Sequence, residues 1–119
     1  MSHDAPIPMG VRVGNMVFSS GIAGKDPADG SLPPDPARQA ELMFLNVRTL
    51  LERAGATLDD VAHLTVWVKD SAYREHLNHE WLKAFPDEDD RPARHTLVSD
   101  LRGGMLIQCE LVAVLEDSQ

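Results

Sequence analysis

The chain has 119 residues, of which 43% are apolar and 25% are charged, and its formal net charge at pH 7 is -8. This length suits one hydrophobic core, so we expect a single domain over residues 1–119. The acidic balance opposes binding to nucleic acid and to anionic membranes, which both require a basic surface. Small molecules and other proteins are the partners that remain.

The sequence predicts a cytoplasmic protein. It contains no run of the roughly 18 apolar residues that a membrane span requires, and its start, MSHDAPIPMG, has no basic segment followed by an apolar one. Its single cysteine, Cys109, excludes an internal disulfide and fits a reducing compartment. Because Cys109 lies in the apolar run 105–115, we expect a buried packing residue and not a nucleophile.

The first predicted elements are a β-hairpin and a long helix. The hairpin covers residues 11–21, and Gly14 supplies the positive φ of its tight turn. Residues 24–36 are rich in proline and predict a loop. A helix then begins at Asp35, whose side chain caps it, and ends at Gly55 in a left-handed cap. Its apolar stripe recurs at helical spacing and consists of Ala40, Met43, Phe44, Val47, Leu51 and Ala54.

The second half of the chain predicts three strands and one helix. Residues 61–68 are β-branched and aromatic, which is typical of a strand. Ser71 is expected to cap a second helix, which Pro86 closes. The apolar stripe of this helix is Leu77, Trp81, Leu82 and Phe85. Two more strands are predicted at 94–98 and 105–115. The order is therefore hairpin, helix, strand, helix, strand, strand.

Two of these strands are apolar on both faces. In residues 61–68 and 105–115, apolar side chains occupy odd and even positions alike. Two helices can cover only one face of a sheet, so the other face needs a second cover. The pattern therefore predicts a homo-oligomer.

The patterns of common catalytic and metal sites are absent from the sequence. His76, His79 and Glu80 fall on the second predicted helix, but zinc requires three or four ligands and neither CxxC nor HExxH occurs. We expect solvated histidines, no metal and no cofactor. No nucleophile elbow supports a catalytic serine, and no glycine-rich phosphate loop is found.

The segment RPARHTLV, residues 91–98, follows an acidic run and opens a predicted strand. A guanidinium offers a rigid fork of donors that matches a carboxylate. Pro92 stiffens the approach to Arg94, so this side chain is presented at a fixed place. The residues alone leave two roles open for Arg94, which are to bind an anionic ligand or to pair with the neighbouring acidic loop.

Four segments together resemble the reactive intermediate deaminase family, called RidA or YjgF. They are GNMVFSSG, AGATLDDVAHLTVWVKD, RPARHTLV and LIQCELVAV, and the resemblance extends from Val11 to Val114. It implies an α+β fold of the RidA/chorismate-mutase-like type, with a mixed six-stranded sheet and two helices packed on one face. It also implies a homotrimer with its sites in the clefts between subunits.

The resemblance implies a site for a small carboxylate substrate. Arg94 matches the arginine that binds the carboxylate of a 2-imino or 2-enamino acid. Gly21 matches the backbone position that helps to hold this carboxylate, and Asn78 matches an asparagine of the second helix. Water then attacks the imine carbon and releases ammonia and a 2-keto acid without a cofactor.

The chain departs from the family pattern at four positions. Gln108 replaces a glutamate that positions and activates the water, and an amide can orient a water but cannot accept its proton. Ile7 stands near the place of a tyrosine, and Ile22 replaces a glutamine, so both are expected to lie beside a more apolar substrate. Thr96 stands in the place of a cysteine.

Two functions remain open at this point. The first is a RidA-like hydrolase in which Arg94 and Gln108 carry the reaction and Gly21, Ile22 and Asn78 help Arg94 to bind the substrate. The second is a trimer that binds small carboxylates without turning them over. Hydrolysis of an aminomuconate-like acid is a third possibility, within the same family.

Overall fold

The computed structural model describes residues 8–116 of the chain. Over this range the chain forms six strands and two α-helices, with short 3-10 turns at Leu58–Asp60 and Ser71–Tyr73. In chain order the elements are β1 Gly10–Val13, β2 Met16–Ser19, β3 Ile22–Ala23, α1 Pro36–Arg53, β4 Val61–Val68, α2 Arg74–Ala84, β5 Ala93–Val98 and β6 Ile107–Val114.

The strands form one mixed sheet in the order β1-β2-β6-β4-β5, and β3 also pairs with β6. Strand β5 runs parallel to β4, while the other pairs are antiparallel. Both helices contribute to the hydrophobic cluster that covers one face of the sheet. The predicted fold class, a mixed six-stranded sheet with two helices on one face, is confirmed.

The hairpin turn and the ends of α1 follow the predicted chemistry. Gly14 has a φ of 61°, as the turn between β1 and β2 requires. The side chain of Asp35 accepts a hydrogen bond from the backbone N–H of Ala37, and Pro36 fills the first helical turn. At the other end, Gly55 has a φ of 79°, and the N–H of Ala56 donates to the carbonyl of Leu51 at 2.8 Å.

The core lies between the helices and one face of the sheet. On β6, the buried residues alternate with partly or fully exposed ones, and the same alternation holds for most of β4. The buried members of the two central strands are Val61, Leu64, Val66, Val68, Ile107, Cys109, Leu111 and Ala113. Apart from β1 and β5, the major elements therefore meet in one core, which fixes the helices against the sheet.

Three details of the sequence prediction are corrected. Ser71 does not cap α2, because it lies in the 3-10 turn Ser71–Tyr73, which Asp70 caps by accepting a hydrogen bond from the N–H of Ala72. The N-cap residue of α2 is Tyr73, which makes no side-chain capping bond. Leu82 is 53% exposed, because only Leu77, Glu80 and Trp81 of α2 are buried. The two-residue strand β3 gave no pattern of its own in the sequence.

Within residues 8–116, no helix is both long enough and apolar enough to cross a membrane.

Candidate functional site

The two arginines around Pro92 have different roles. Arg91 donates from Nε to the carbonyl of Phe85 at 2.8 Å, and Phe85 is the C-cap of α2. This hydrogen bond satisfies a carbonyl at the end of the helix and fixes the loop that leads to β5. Arg91 is therefore a structural residue.

Arg94 is held in place by an aromatic ring. Its Cα pairs with that of Leu64 on β4, so its side chain starts on the face of the sheet that carries the helices. The guanidinium carbon lies 4.9 Å from the centroid of the Trp81 ring, within the range of a cation–π contact. Among residues 8–116, the ion pairs involve other cations. Arg94 therefore keeps its donors for another group.

Burial first, and then the charge of Arg74, lower the pKa of the Arg94 guanidinium. Both causes act against the positive charge, and no carboxylate opposes them. An anion bound at this place would stabilise the charged form of Arg94 and so oppose both effects. The local electrostatics are therefore those of a site for an anionic ligand.

Side chains of α2 and β5 meet around Arg94. Arg74, Asn78 and Trp81 are spaced at i, i+4 and i+7, so they form one stripe along α2. Trp81 faces Arg94, and Nη2 of Arg74 donates to the backbone carbonyl of Thr96 at 3.4 Å. Asn78 is exposed between them in this stripe. We call these five residues the arginine cleft.

Gly21, which precedes β3, and Gln108 on β6 form a second group. The ladder between these segments breaks after Phe18, which pairs with Val112, and resumes at Ile22, which pairs with Cys109. Residues 19–21 therefore lie opposite residues 110–111, so one strand has an extra residue and forms a bulge. A bulge changes the direction of side chains and leaves backbone groups unpaired. The hydroxyl of Ser19 fills part of the gap by accepting the N–H of Leu111 at 2.8 Å.

The side chain of Gln108 lies directly over Gly21. A Cβ atom on Gly21 would be 2.2 Å from Nε2 of Gln108, so only glycine allows this approach. Gly21 is exposed and Gln108 is half-buried. A backbone segment and an amide thus lie against each other at this place, which we call the glycine pocket.

The predicted contact of Ile22 with a ligand is not supported. Its side chain is 3% exposed and packs in the core, because its pairing with Cys109 places it on the helix-covered face. A ligand near Gly21 would meet only the backbone of Ile22. Ile7, the other position for which we expected an apolar contact, lies outside the described residues.

In one chain the arginine cleft and the glycine pocket do not meet. Gln108 pairs with Trp67 on β4, whereas Leu64, the partner of Arg94, pairs with Leu111. Because side chains alternate along a strand, Gln108 and Arg94 start on opposite faces of the sheet. The predicted site residues therefore form two half-sites, with β4 between them.

Three polar residues position these half-sites, and the sequence reading did not identify them. Gln39 is fully buried on α1 and donates to the carbonyls of Pro33 and Gly104 at 2.7 and 3.0 Å. Asn46 donates to the carbonyls of Ala23 and Lys25, which ties β3 to α1. Arg74 completes the arginine cleft. Gln39 could have been found from the sequence, because it is a polar residue among the apolar positions of α1.

Cys109 and His79, which the sequence analysis also considered, are not part of either half-site. Burial, with a smaller effect from Glu110, raises the pKa of the fully buried Cys109 thiol, which is therefore neutral and inert. His79 is exposed on α2. Within residues 8–116, no group of three or more His, Cys, Asp or Glu side chains is arranged to hold a metal ion. The hydroxyl of Thr96 is buried and has no hydrogen-bond partner among the described residues.

Comparison with known proteins places these features in a family. The family model described as Endoribonuclease L-PSP matches residues 5–115. A RutC family protein of Pyrococcus abyssi is 34% identical over 122 residues, which cover 97% of this chain and 94% of that protein. The 2-iminobutanoate/2-iminopropanoate deaminase of Escherichia coli K12 is 33% identical over 111 residues, covering 92% of this chain and 87% of the relative.

Solved structures agree with the sequence matches. The structure of Escherichia coli TdcF with bound serine has a TM-score of 0.88 and 28% identity, and the match covers 96% of this chain and 91% of that one. The family match, the relatives and the shared fold lead to one conclusion: the chain belongs to the Endoribonuclease L-PSP family, the RidA (YjgF) family that its four segments resemble.

Proposed function

We propose that this protein hydrolyses small reactive 2-imino or 2-enamino acids to 2-keto acids and ammonia. The observation that carries the proposal is Arg94, a half-buried guanidinium fixed by Trp81 without an acidic partner in the described chain. A carboxylate bound there would sit at a defined place, and the imine carbon next to it would be positioned for attack by water. The relationship to a 2-iminobutanoate/2-iminopropanoate deaminase supports this reaction class.

The proposed reaction needs no group that the chain lacks. Water adds its oxygen to the imine carbon, the carbon–nitrogen bond breaks, and the nitrogen leaves as ammonia while the carbon becomes a ketone. Gln108 can hold the water by accepting one of its hydrogen bonds, but its amide cannot take the proton. In this proposal Gln108 orients the water, and the basic imine nitrogen itself receives the protons.

We further propose that the site is completed by a second copy of the chain in a homotrimer. The arginine cleft and the glycine pocket start on opposite faces of one sheet, so one chain cannot present both to the same small ligand. The face without helices also leaves several apolar side chains exposed, at Val11, Val13, Phe18 and Val114. Covering this face with a neighbour would bury them and would bring one protomer's Gln108 to the next protomer's Arg94.

A second candidate function is binding of a small carboxylate without turnover. Gln108 favours it, because an amide in the place of a general base removes a proton acceptor. The structure of TdcF holds serine, an amino acid with a free carboxylate, which is the kind of ligand that both functions require. RNA cleavage, which the family description names, is disfavoured by the formal net charge of -8.

The first prediction separates these functions by removing the carboxylate-binding group. The imine is generated in the assay from an amino acid by an amino-acid oxidase, and its lifetime is followed by trapping with semicarbazide. Wild-type protein should shorten the lifetime, and Arg94→Ala should lower the rate by about 100-fold or more, because a charge-assisted bidentate contact is lost.

Arg48→Ala serves as the control, because Arg48 is exposed on α1, away from both half-sites. It should clear the imine at the wild-type rate. Equal clearance by wild type and Arg94→Ala would end the hydrolase proposal. Binding of a 2-keto acid that depends on Arg94, without any acceleration, would establish the second candidate instead.

A further inference from the structure

The arginine cleft holds two arginines, although one carboxylate requires only one. We infer that the substrate carries a second carboxylate, that Arg74 binds it, and that the preferred substrates are short-chain dicarboxylic 2-imino or 2-enamino acids. This inference rests on the proposed function, because Arg94 takes the carboxylate beside the reacting carbon. It assigns a specificity-determining role to Arg74.

The position of Arg74 supports this role. Its Nη2 atom donates to the carbonyl of Thr96 at 3.4 Å, which holds the guanidinium against β5. Thr96 lies two residues beyond Arg94 on the same side of that strand, at a spacing of about 6.6 Å along the chain. The long hydrogen bond uses only one donor, so Arg74 has further donors available beside β5.

The charges around Arg74 support it as well. Within residues 8–116, the cations that form ion pairs are Arg38, Lys69, His79 and Lys83. Neither arginine of the cleft is among them. The charge of Arg74 contributes to the lowered pKa of Arg94, which means that the two guanidiniums repel each other. An unneutralised cation pair in a protein of net charge -8 is a local site for an anion.

The number of charges then selects the ligand class. A monocarboxylate would neutralise Arg94 and leave Arg74 unpaired in the same cleft. A dicarboxylate would neutralise both, with each carboxylate accepting charge-assisted hydrogen bonds of about 2.7–2.9 Å. Arg74 is anchored at Thr96, two residues from Arg94 on one strand, so a short-chain dicarboxylate is the ligand class that both arginines can bind together.

Equilibrium binding of two keto acids tests the inference without requiring turnover. The probes are 2-oxoglutarate and 2-oxopentanoate, which have the same chain length and differ in the distal carboxylate. Wild-type protein should bind 2-oxoglutarate at least about 10-fold more tightly in titration calorimetry. Arg74→Gln should remove this advantage, so that the two acids bind with similar affinity. Arg74→Glu should reverse the preference.

The controls distinguish this inference from the proposed function. Arg48→Gln should keep the preference, because Arg48 lies outside the cleft. Arg94→Ala should abolish binding of both acids. Equal affinity of wild type for the two acids, with binding still dependent on Arg94, would overturn the role of Arg74 and leave the proposed site intact. A preference that persists in Arg74→Gln would also overturn it, and binding of neither acid would contradict both proposals.

Discussion

At the level of single residues, the surroundings of each side chain decide its role more than its type does. Arg91 and Arg94 are three positions apart, yet the first satisfies a helix-end carbonyl and the second lies over an aromatic ring, with no anionic partner in the described part of the chain. The sequence identified Arg94 as a candidate ligand for a carboxylate. It could not separate the two roles left open, because these depend on where the acidic loop and α2 lie in space.

Cys109 gives a prediction about pH that is independent of function. Burial raises the pKa of its thiol in the folded protein, so the unfolded chain loses this proton first as the pH rises. Above about pH 8.5 the unfolded state therefore gains an ionised thiolate that the folded state lacks, and the free energy of unfolding falls. This contribution is fully present below that pH and decreases by about 1.4 kcal/mol per pH unit above it.

Urea unfolding of wild type and Cys109→Ala between pH 7.5 and pH 10.5 measures this effect. Other groups also titrate in this range, so the informative quantity is the difference between the two proteins. The free energy of unfolding should fall more steeply for wild type, so the difference in this free energy between the two proteins should shrink as the pH rises. If this difference stays constant with pH, the thiol ionises in the folded protein as it does in the unfolded chain.

At the level of elements, the glycine pocket depends on the bulge between β2 and β3. The sequence predicted the hairpin, α1 and β4 closely, because turn glycines, caps and apolar periodicity are local signals. It did not predict β3, because two residues have no periodicity. The proximity of Gly21 and Gln108 depends on pairing between segments more than 80 residues apart, which is a property of the register.

Gly21→Ala tests this pocket. The new Cβ would meet the end of the Gln108 side chain at 2.2 Å, and this flexible amide can swing aside. Stability should therefore fall by less than about 1 kcal/mol, while kcat/KM for imine hydrolysis should fall about 10-fold as Gln108 is displaced. The effect on kcat/KM should be much smaller in a Gln108→Ala background, since the two changes act on one feature.

Gly24→Ala provides the contrast. At this position a Cβ would meet the backbone carbonyl of Gln39 at 2.2 Å, and a helix backbone cannot move aside. Gly24→Ala should therefore lower the melting temperature far more than Gly21→Ala does. Unchanged hydrolysis in Gly21→Ala would remove Gln108 from the proposed site.

At the level of the whole molecule, one sheet face is covered by helices and the other is not. The pattern of apolar residues in the strands predicted that both faces of the sheet require burial. The exposed apolar side chains of β1 and β2 lie on the face that the helices leave open. The same sheet separates the arginine cleft from the glycine pocket. A homotrimer would resolve both features at once, since a neighbouring chain would cover the open face and complete each site.

Mixing two impaired variants tests this arrangement most directly. Differently tagged Arg94→Ala and Gln108→Leu chains are co-expressed in equal amounts, mixed oligomers are isolated through both tags, and imine hydrolysis is compared with that of each variant alone. If every site takes Arg94 from one protomer and Gln108 from its neighbour, each trimer that contains both variants has one site of three with both residues intact, and about a third of wild-type activity should return. Mixed oligomers with no more activity than the separate variants would contradict a site built from two chains.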